Sequence, residues 1–223
     1  TVLVVTAQAG AYQDKDSVAP WVVGAGEFEV PWGLFRTSEF ALVAKRHMAV
    51  YGTKPEALAT VAANIRNFGH VNPEAVYYGR GPFTAKDILD SRMVADPYHL
   101  LDCCMTSEGG AAILITSVER ARDMKQRPIY LLGGGGESFG TSHMHPPRYD
   151  TVGLVGQGAA KRAFSVAGLQ PKDVDLCEYY GAFSWEVIRE FEAYGFCGVG
   201  EGGDFVMGGT TALGGKYPVD TDG

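Results

Sequence analysis

The order of apolar and polar positions divides the chain into stretches of different texture. Thr1 to Ala7 (TVLVVTA) is apolar or β-branched with no polar alternation, the pattern of a strand covered on both faces inside a sheet. Between Gly10 and Leu34, Gly, Pro and Asp interrupt isolated aromatics (Tyr12, Trp21, Phe28, Trp32), which predicts an irregular excursion. Trp21 and Trp32 either pin that loop or line a pocket. Helical periodicity follows. Thr37 or Ser38 caps a helix through EFALVAKRHMAVYG, with Phe40, Val43, Ala44, His47 and Met48 on one side and Gly52 as its stop. Pro55 then opens a second helix carrying Leu58, Val61, Ala62 and Ile65 on one face, and Thr84 caps a third, short one.

From Tyr98 onward the pattern alternates between strand and helix. GGAAILITSVERARDM gives an apolar strand and a charged helix, and RPIYLLGGGG a strand ending in four glycines. TVGLVGQGAAKRAFSVAG is a small-residue helix that stops at Gly168. Val174 to Glu178 reads as a strand, Tyr179, Tyr180 and Gly181 as a corner, and Ala182 to Tyr194 as a helix with Phe183, Val187, Ile188 and Phe191 at helical spacing. Such alternation predicts an α/β layer with a mixed or parallel sheet. Side chains at the carboxyl end of a strand that hands over to a helix lie where α/β proteins keep their chemistry.

Charge and composition narrow the function. A net charge of -7 and a pI near 5.2 argue against a nucleic-acid or anionic-membrane surface. No run of about 18 apolar residues predicts a membrane span, and no charged start leads into an apolar signal segment. Cys103, Cys104, Cys177 and Cys197 have no CxxC spacing, so they suggest neither a zinc knuckle nor a disulfide framework. They read as buried small hydrophobes in a reducing, cytoplasmic compartment. The chain opens in mid-strand and stops in a glycine-rich turn, which reads as a piece of a longer protein.

Other candidate chemistry is local. The glycine run 133–136 lacks a following Lys-Ser/Thr and a GxGxxG register, so it reads as a loop needing positive φ rather than a phosphate cradle. His143 and His145 are two apart with no third ligand nearby, and read as loop histidines rather than a metal pair. Arg148 is placed to take a phosphate or carboxylate.

Taken together, AKRHMAVYGTKPEALATVAANIRNFGHVNPEA, DCCMTSEGGAA, EYYGAFSWEVIREFEAYGFCGVGEGG and YPVDTDG resemble the thiolase superfamily, and within it the sterol-carrier-protein or lipid-transfer type. The resemblance implies a layered α/β/α thiolase-like fold, incomplete here. Residues 1–9 would end the N-terminal half, 10–97 form a mostly helical loop or lid domain, and 98–223 most of the C-terminal half. Where related thiolases have Asn-Glu-Ala-Phe or His-Asp-Cys-Phe, this chain has Tyr180-Gly181-Ala182-Phe183. A tyrosine there resembles the aldolase branch, in which CoA thioesters from steroid side chains are cleaved by retro-aldol chemistry without a nucleophilic cysteine.

That chemistry needs a base for the β-hydroxyl proton and donors for the enolate oxygen, roles open to a phenol. The resemblance therefore implies Tyr180 as acid/base, with Tyr179 as the alternate, and Gly181 as a gap that widens the pocket for a bulky acyl group. Ser107 and Arg148 are the candidate CoA contacts. Asp222 falls where related chains carry histidine. No bound cofactor or metal is implied, since the coenzyme A thioester is the substrate. A homodimer and a small zinc-ribbon and OB-fold partner follow from the same similarity. Two other readings stay open: an acyltransferase whose cysteine lies outside this sequence, and a non-catalytic thiolase-like scaffold subunit.

Overall fold

The structure, a computed structural model, describes residues 1–8, 35–105, 107–137 and 154–223. In chain order its elements are strand β1 (Val2–Gln8), helices α1 (Arg36–Tyr51), α2 (Pro55–Val71) and α3 (Ala85–Leu89), strands β2 (Met93–Ala95), β3 (Tyr98–His99) and β4 (Gly109–Ile115), and helices α4 (Val118–Arg122), α5 (Gln157–Ala167), α6 (Ser184–Ala193) and α7 (Gly202–Met207). Two 3-10 turns, Leu100–Asp102 and Pro171–Asp173, complete the set. The aromatic excursion, with Trp21 and Trp32, and the segment with His143, His145 and Arg148 lie outside the described residues.

The chain divides into two compact units, residues 1–22 with 105–132, and residues 23–104 with 133–223. In the first, β1 and β4 form an antiparallel pair from Val2↔Ile115 to Gln8↔Gly109. The sequence pattern predicts a strand covered on both faces. Instead Leu3, Val5, Ile113 and Leu114 are exposed, because the described residues give this pair no third strand and no covering layer. No strand forms over residues 128–132 either.

The second unit holds the core. Leu58 and Val61 of α2, Val43 and Ala44 of α1, Val206 of α7 and Val187, Ile188 and Phe191 of α6 share one apolar cluster with Tyr98, Phe183 and Trp185. Local signals set the helix limits. Gly52 ends α1 in the left-handed region (φ 75), and Pro55 occupies the first turn of α2. Thr84 caps α3, its hydroxyl accepting from Asp87 N while Asp87 Oδ2 accepts from Thr84 N at 2.7 Å. Helix α1 starts earlier than expected, from Phe35, with Ser38 reaching back to bond both the N–H and the carbonyl of Phe35 at 2.8 Å.

Two expectations are corrected in this unit. Gly133 to Gly136 have no positive φ. They run extended beside α5, so alternate residues face it: a Cβ on Gly133 or Gly135 would overlap carbonyl oxygens of that helix, whereas Gly134 and Gly136 face open space. Glycine is required there for close approach of backbone to helix, not for a left-handed turn. Glu137, next in sequence, places its carboxylate on the first turn of α5, accepting from Gly158 N at 2.9 Å and Ala159 N at 3.1 Å. The anion position at that helix start is thus filled by the protein's own side chain.

The strand predicted over Val174–Glu178 is the second correction. It shrinks to one parallel bridge, Cys177↔Val219. Cys177 N donates to Pro218 O and Asp220 N donates to Cys177 O, both at 2.9 Å. Pro218 has no N–H to extend the ladder, and Asp220 turns the chain away with φ 49. Among the described residues no helix is long and apolar enough to cross a membrane.

Candidate active site

The corner between residues 177 and 183 is fixed from three directions. On one side Cys104 N donates to Ala182 O at 2.9 Å, and Cys103 bridges Phe183. Beneath it Ser184 Oγ donates to Asp102 Oδ1 at 2.7 Å, while Asp102 Oδ2 accepts from His99 N at 2.9 Å. The serine hydroxyl therefore serves the carboxylate and not an imidazole, an anchoring arrangement rather than that of an activated nucleophile. On the third side lies the segment 217–221. A continued parallel ladder would take the Tyr179 N–H to a main-chain carbonyl; the Asp220 carboxylate takes it instead, Oδ1 accepting at 2.6 Å. Glu178 reciprocates, its Oε1 accepting from Thr221 N at 3.1 Å and Thr221 Oγ1 at 2.6 Å.

Extended backbone sends successive side chains to opposite sides, and this separates the two tyrosines. Tyr179 turns inward, its ring 5.2 Å from that of Phe191 and 5.6 Å from that of Tyr194. Burial, with the Cys177 thiol beside it, pushes its phenol far above the usual tyrosine range. Tyr180 turns outward and is 83% exposed. Gly181 lies between the corner and α6, where a Cβ would come 2.9 Å from Asp220 Oδ2 and 3.2 Å from Val187 Cγ2. The room a side chain would need there is already occupied by protein.

A group of buried carboxyls stands behind the corner. Burial pushes Glu186 up to about 7, against Arg189 and the main-chain donors at Phe183 and Ala182. Glu190 is pushed to about 8, first by burial and then by Glu186 and Asp220, with Arg189 opposing. Asp220 is pushed to about 6 by burial and by Glu178 and Asp222, the Tyr179 N–H opposing. Sequence periodicity places Glu186 and Glu190 on the polar face of a surface helix. In the structure α6 is buried on nearly every side, so that face is covered too.

The four thiols are all shifted upward, chiefly by burial: Cys103 to about 11, Cys197 to about 12, and Cys104 and Cys177 in the same direction. None is poised as a thiolate at neutral pH. Only Cys177 is buried, and Cys104 is exposed, which corrects the expectation of four buried cysteines. Cys104 sits at the end of the 3-10 turn, where its N–H rather than its side chain is held. Among the described residues no group of His, Cys, Asp and Glu is arranged to hold a metal ion.

Of the remaining expected site residues, Ser107 belongs to the first unit, is exposed, and bonds its own turn through Met105 O at 3.5 Å. Arg148 lies outside the described residues. Asp222 is exposed, and its carbonyl accepts from Asn72 Nδ2 at 2.8 Å. Asp220 was not anticipated. The only sequence signal for it is a non-glycine residue in a Pro-Val-Asp-Thr-Asp-Gly turn, and its partner is 41 residues away.

Comparison with known proteins fits this geometry to a family. Residues 132–223 match the family described as thiolase C-terminal domain-like. The solved structure titled Ltp2-ChsH2(DUF35) aldolase superposes on 99% of this chain and 58% of its own, with a TM-score of 0.89 and 30% identity. The chain belongs to the thiolase superfamily. Its fold is thiolase-like α/β. A steroid side-chain-cleaving aldolase of Thermomonospora curvata is 35% identical over 227 residues, covering 97% of this chain and 55% of the relative. A 17-hydroxy-3-oxo-4-pregnene-20-carboxyl-CoA lyase of Mycobacterium tuberculosis is 34% identical over 204 residues, covering 88% and 52%. The chain spans about half the length of these curated relatives.

Proposed function

We propose that this thiolase-like chain carries the acid/base corner of a carbon–carbon lyase that cleaves a β-hydroxyacyl-CoA by a retro-aldol step. The observation that carries the reading is Tyr180: 83% exposed on a backbone pinned at both neighbours, while Tyr179 is buried and held protonated. In the reaction a base takes the β-hydroxyl proton and the Cα–Cβ bond breaks. The hydroxyl carbon becomes a ketone, and the bond electrons pass into the thioester as an enolate that is reprotonated at Cα. Tyr180 Oη is the group that exchanges a proton with the substrate. Coenzyme A enters as part of the substrate, and the proposed site needs no cofactor.

The relatives named for steroid side-chain cleavage support a ring-bearing acyl group, and the matched complex supports a DUF35-type partner beside a second copy of this chain. Acyl transfer would require a thiolate, and burial disfavours ionisation of every cysteine in this chain. The test is turnover of 17-hydroxy-3-oxo-4-pregnene-20-carboxyl-CoA by the full-length protein, following release of the ring ketone. Tyr180→Phe should lower kcat by about 100-fold or more with KM little changed, the size expected for loss of a general acid or base. Tyr179→Phe should retain most of it. Equal turnover by Tyr180→Phe and wild type would remove Tyr180 from the chemistry.

A further inference from the structure

We propose that Asp220 is a positioning residue for this chemistry, its carboxylate clamping the main chain on both sides of Tyr180. The inference rests on the reading of Tyr180 as the acid/base group and says how that group is aimed. One oxygen, Oδ1, accepts from the N–H of residue 179 at 2.6 Å, and the other, Oδ2, is lodged against residue 181, closer than any Cβ there would tolerate. Tyr180 is the one residue between these two points. Its ring is free, while the backbone that aims it is not.

The clamp is itself well anchored. Asp220 N donates to Cys177 O at 2.9 Å, and the residue is 9% exposed. Its left-handed φ of 49 is a conformation that a residue other than Gly adopts at some cost and that the surrounding contacts must hold. Glu178 bonds Thr221 from the opposite strand, so the two segments are tied by carboxylates reaching in both directions. An aspartate side chain has few rotatable bonds, and a charge-assisted bond to N–H is among the stronger ones available. Gly181 and Asp220 are thus one device: glycine at 181 leaves the space that the carboxylate fills.

A tyrosine has only two side-chain torsions, so a fixed backbone restricts the positions its hydroxyl can reach. A displacement of the order of 1 Å at a reacting group can cost about 100-fold in rate. The test uses the full-length protein and three variants, each checked for native near-UV circular dichroism. Asp220→Ala removes the acceptor, Asp220→Asn keeps Oδ1, and Gly181→Ala displaces the carboxylate with Asp220 still present. Each is assayed for kcat and KM and for hydrogen exchange of the Tyr179 and Tyr180 amides.

Asp220→Ala and Gly181→Ala should each lower kcat by about 100-fold with KM within about threefold. The Tyr179 amide should exchange about tenfold faster or more in both. Asp220→Asn should keep kcat within about fivefold and retain the protection. Full activity in either of the first two variants overturns the proposal. So does an Asn variant as impaired as Ala, because the charge and not the bond would then matter. If the wild-type protein shows no lyase turnover, the functional reading fails by itself and amide exchange decides the clamp: unchanged Tyr179 exchange in Asp220→Ala refutes it. Should Asp220→Ala not fold, Gly181→Ala carries the same judgement.

Discussion

Replacing Glu190 with Gln should stabilise the protein increasingly as pH rises. Glu190 is 6% exposed, with Arg189 at 3.3 Å as its nearest cation and Glu186 one turn away. Its Oε2 accepts no hydrogen bond among the described residues. Burial and the neighbouring carboxyls move it from 4.5 to about 8. The folded protein therefore binds a proton at Glu190 that the unfolded chain has already lost at intermediate pH. Stability contributed at this site is highest below 4.5 and falls as pH climbs through the window to 8.

The size of that fall follows from the linkage. A rise from 4.5 to about 8 corresponds to roughly 5 kcal/mol between the two limits. Between pH 5 and pH 8 about 3 kcal/mol of it is expressed, since the unfolded chain is already largely ionised at pH 5 and the folded group still half-protonated at pH 8. Glutamine is isosteric, never ionises, and can present an amide oxygen to Arg189. The stability of Glu190→Gln relative to wild type should therefore grow by about 3 kcal/mol from pH 5 to pH 8, or about 6–12 °C in Tm for a chain of this size. Urea denaturation at the two pH values measures it. A relative stability that is flat with pH, or a variant less stable than wild type at pH 8, would mean that the carboxylate is satisfied by a cation and that burial is not its dominant influence.

Two further outcomes follow from the same structure. His47 Nε2 lies 3.0 Å from both oxygens of Glu192, its Nδ1 lies 2.9 Å from Thr53 Oγ1, and Glu192 Oε1 also accepts from Gly202 N. His47→Ala leaves that buried carboxylate with one donor and should cost about 3–5 kcal/mol by chemical denaturation, whereas His47→Gln, able to donate to Glu192, should lose distinctly less. Gly135→Ala should cost about 1–3 kcal/mol by pressing a methyl into the carbonyl of Ala159, while Gly136→Ala, facing open space, should lie within about 0.5 kcal/mol of wild type. Equal effects of the two would mean that the extended run does not pack against α5.

What was legible in the sequence was what is settled locally. Gly52, Pro55 and the Thr84–Asp87 pair set helix limits within a few residues of themselves, and each is found in its expected role. The apolar stripe of α6 also holds, since Val187, Ile188 and Phe191 are fully buried. The errors come from contacts between distant segments. Glu186 and Glu190 look like a solvated face until the elements packed on α6 are known. Asp220 acquires its function only when Cys177 comes alongside Val219, and Glu137 only when the glycine run lies against α5. The apolar run of β1 reports a strand suited to cover, but periodicity cannot say where that cover comes from.

These distant contacts are also what separates the two tyrosines chemically. Tyr179 and Tyr180 are the same residue type in adjacent positions, and no propensity distinguishes them. Their roles diverge because the Val219 bridge fixes which face of the extended segment meets Phe191 and Tyr194. A slip of one residue in that pairing would bury the hydroxyl of Tyr180 and expose that of Tyr179. The Pro218 break in the ladder and the capture of the Tyr179 N–H by Asp220 both hold the register at that point. Which phenol can meet substrate is therefore decided by a carboxylate and a missing N–H on another segment, about 40 residues downstream of the corner they control.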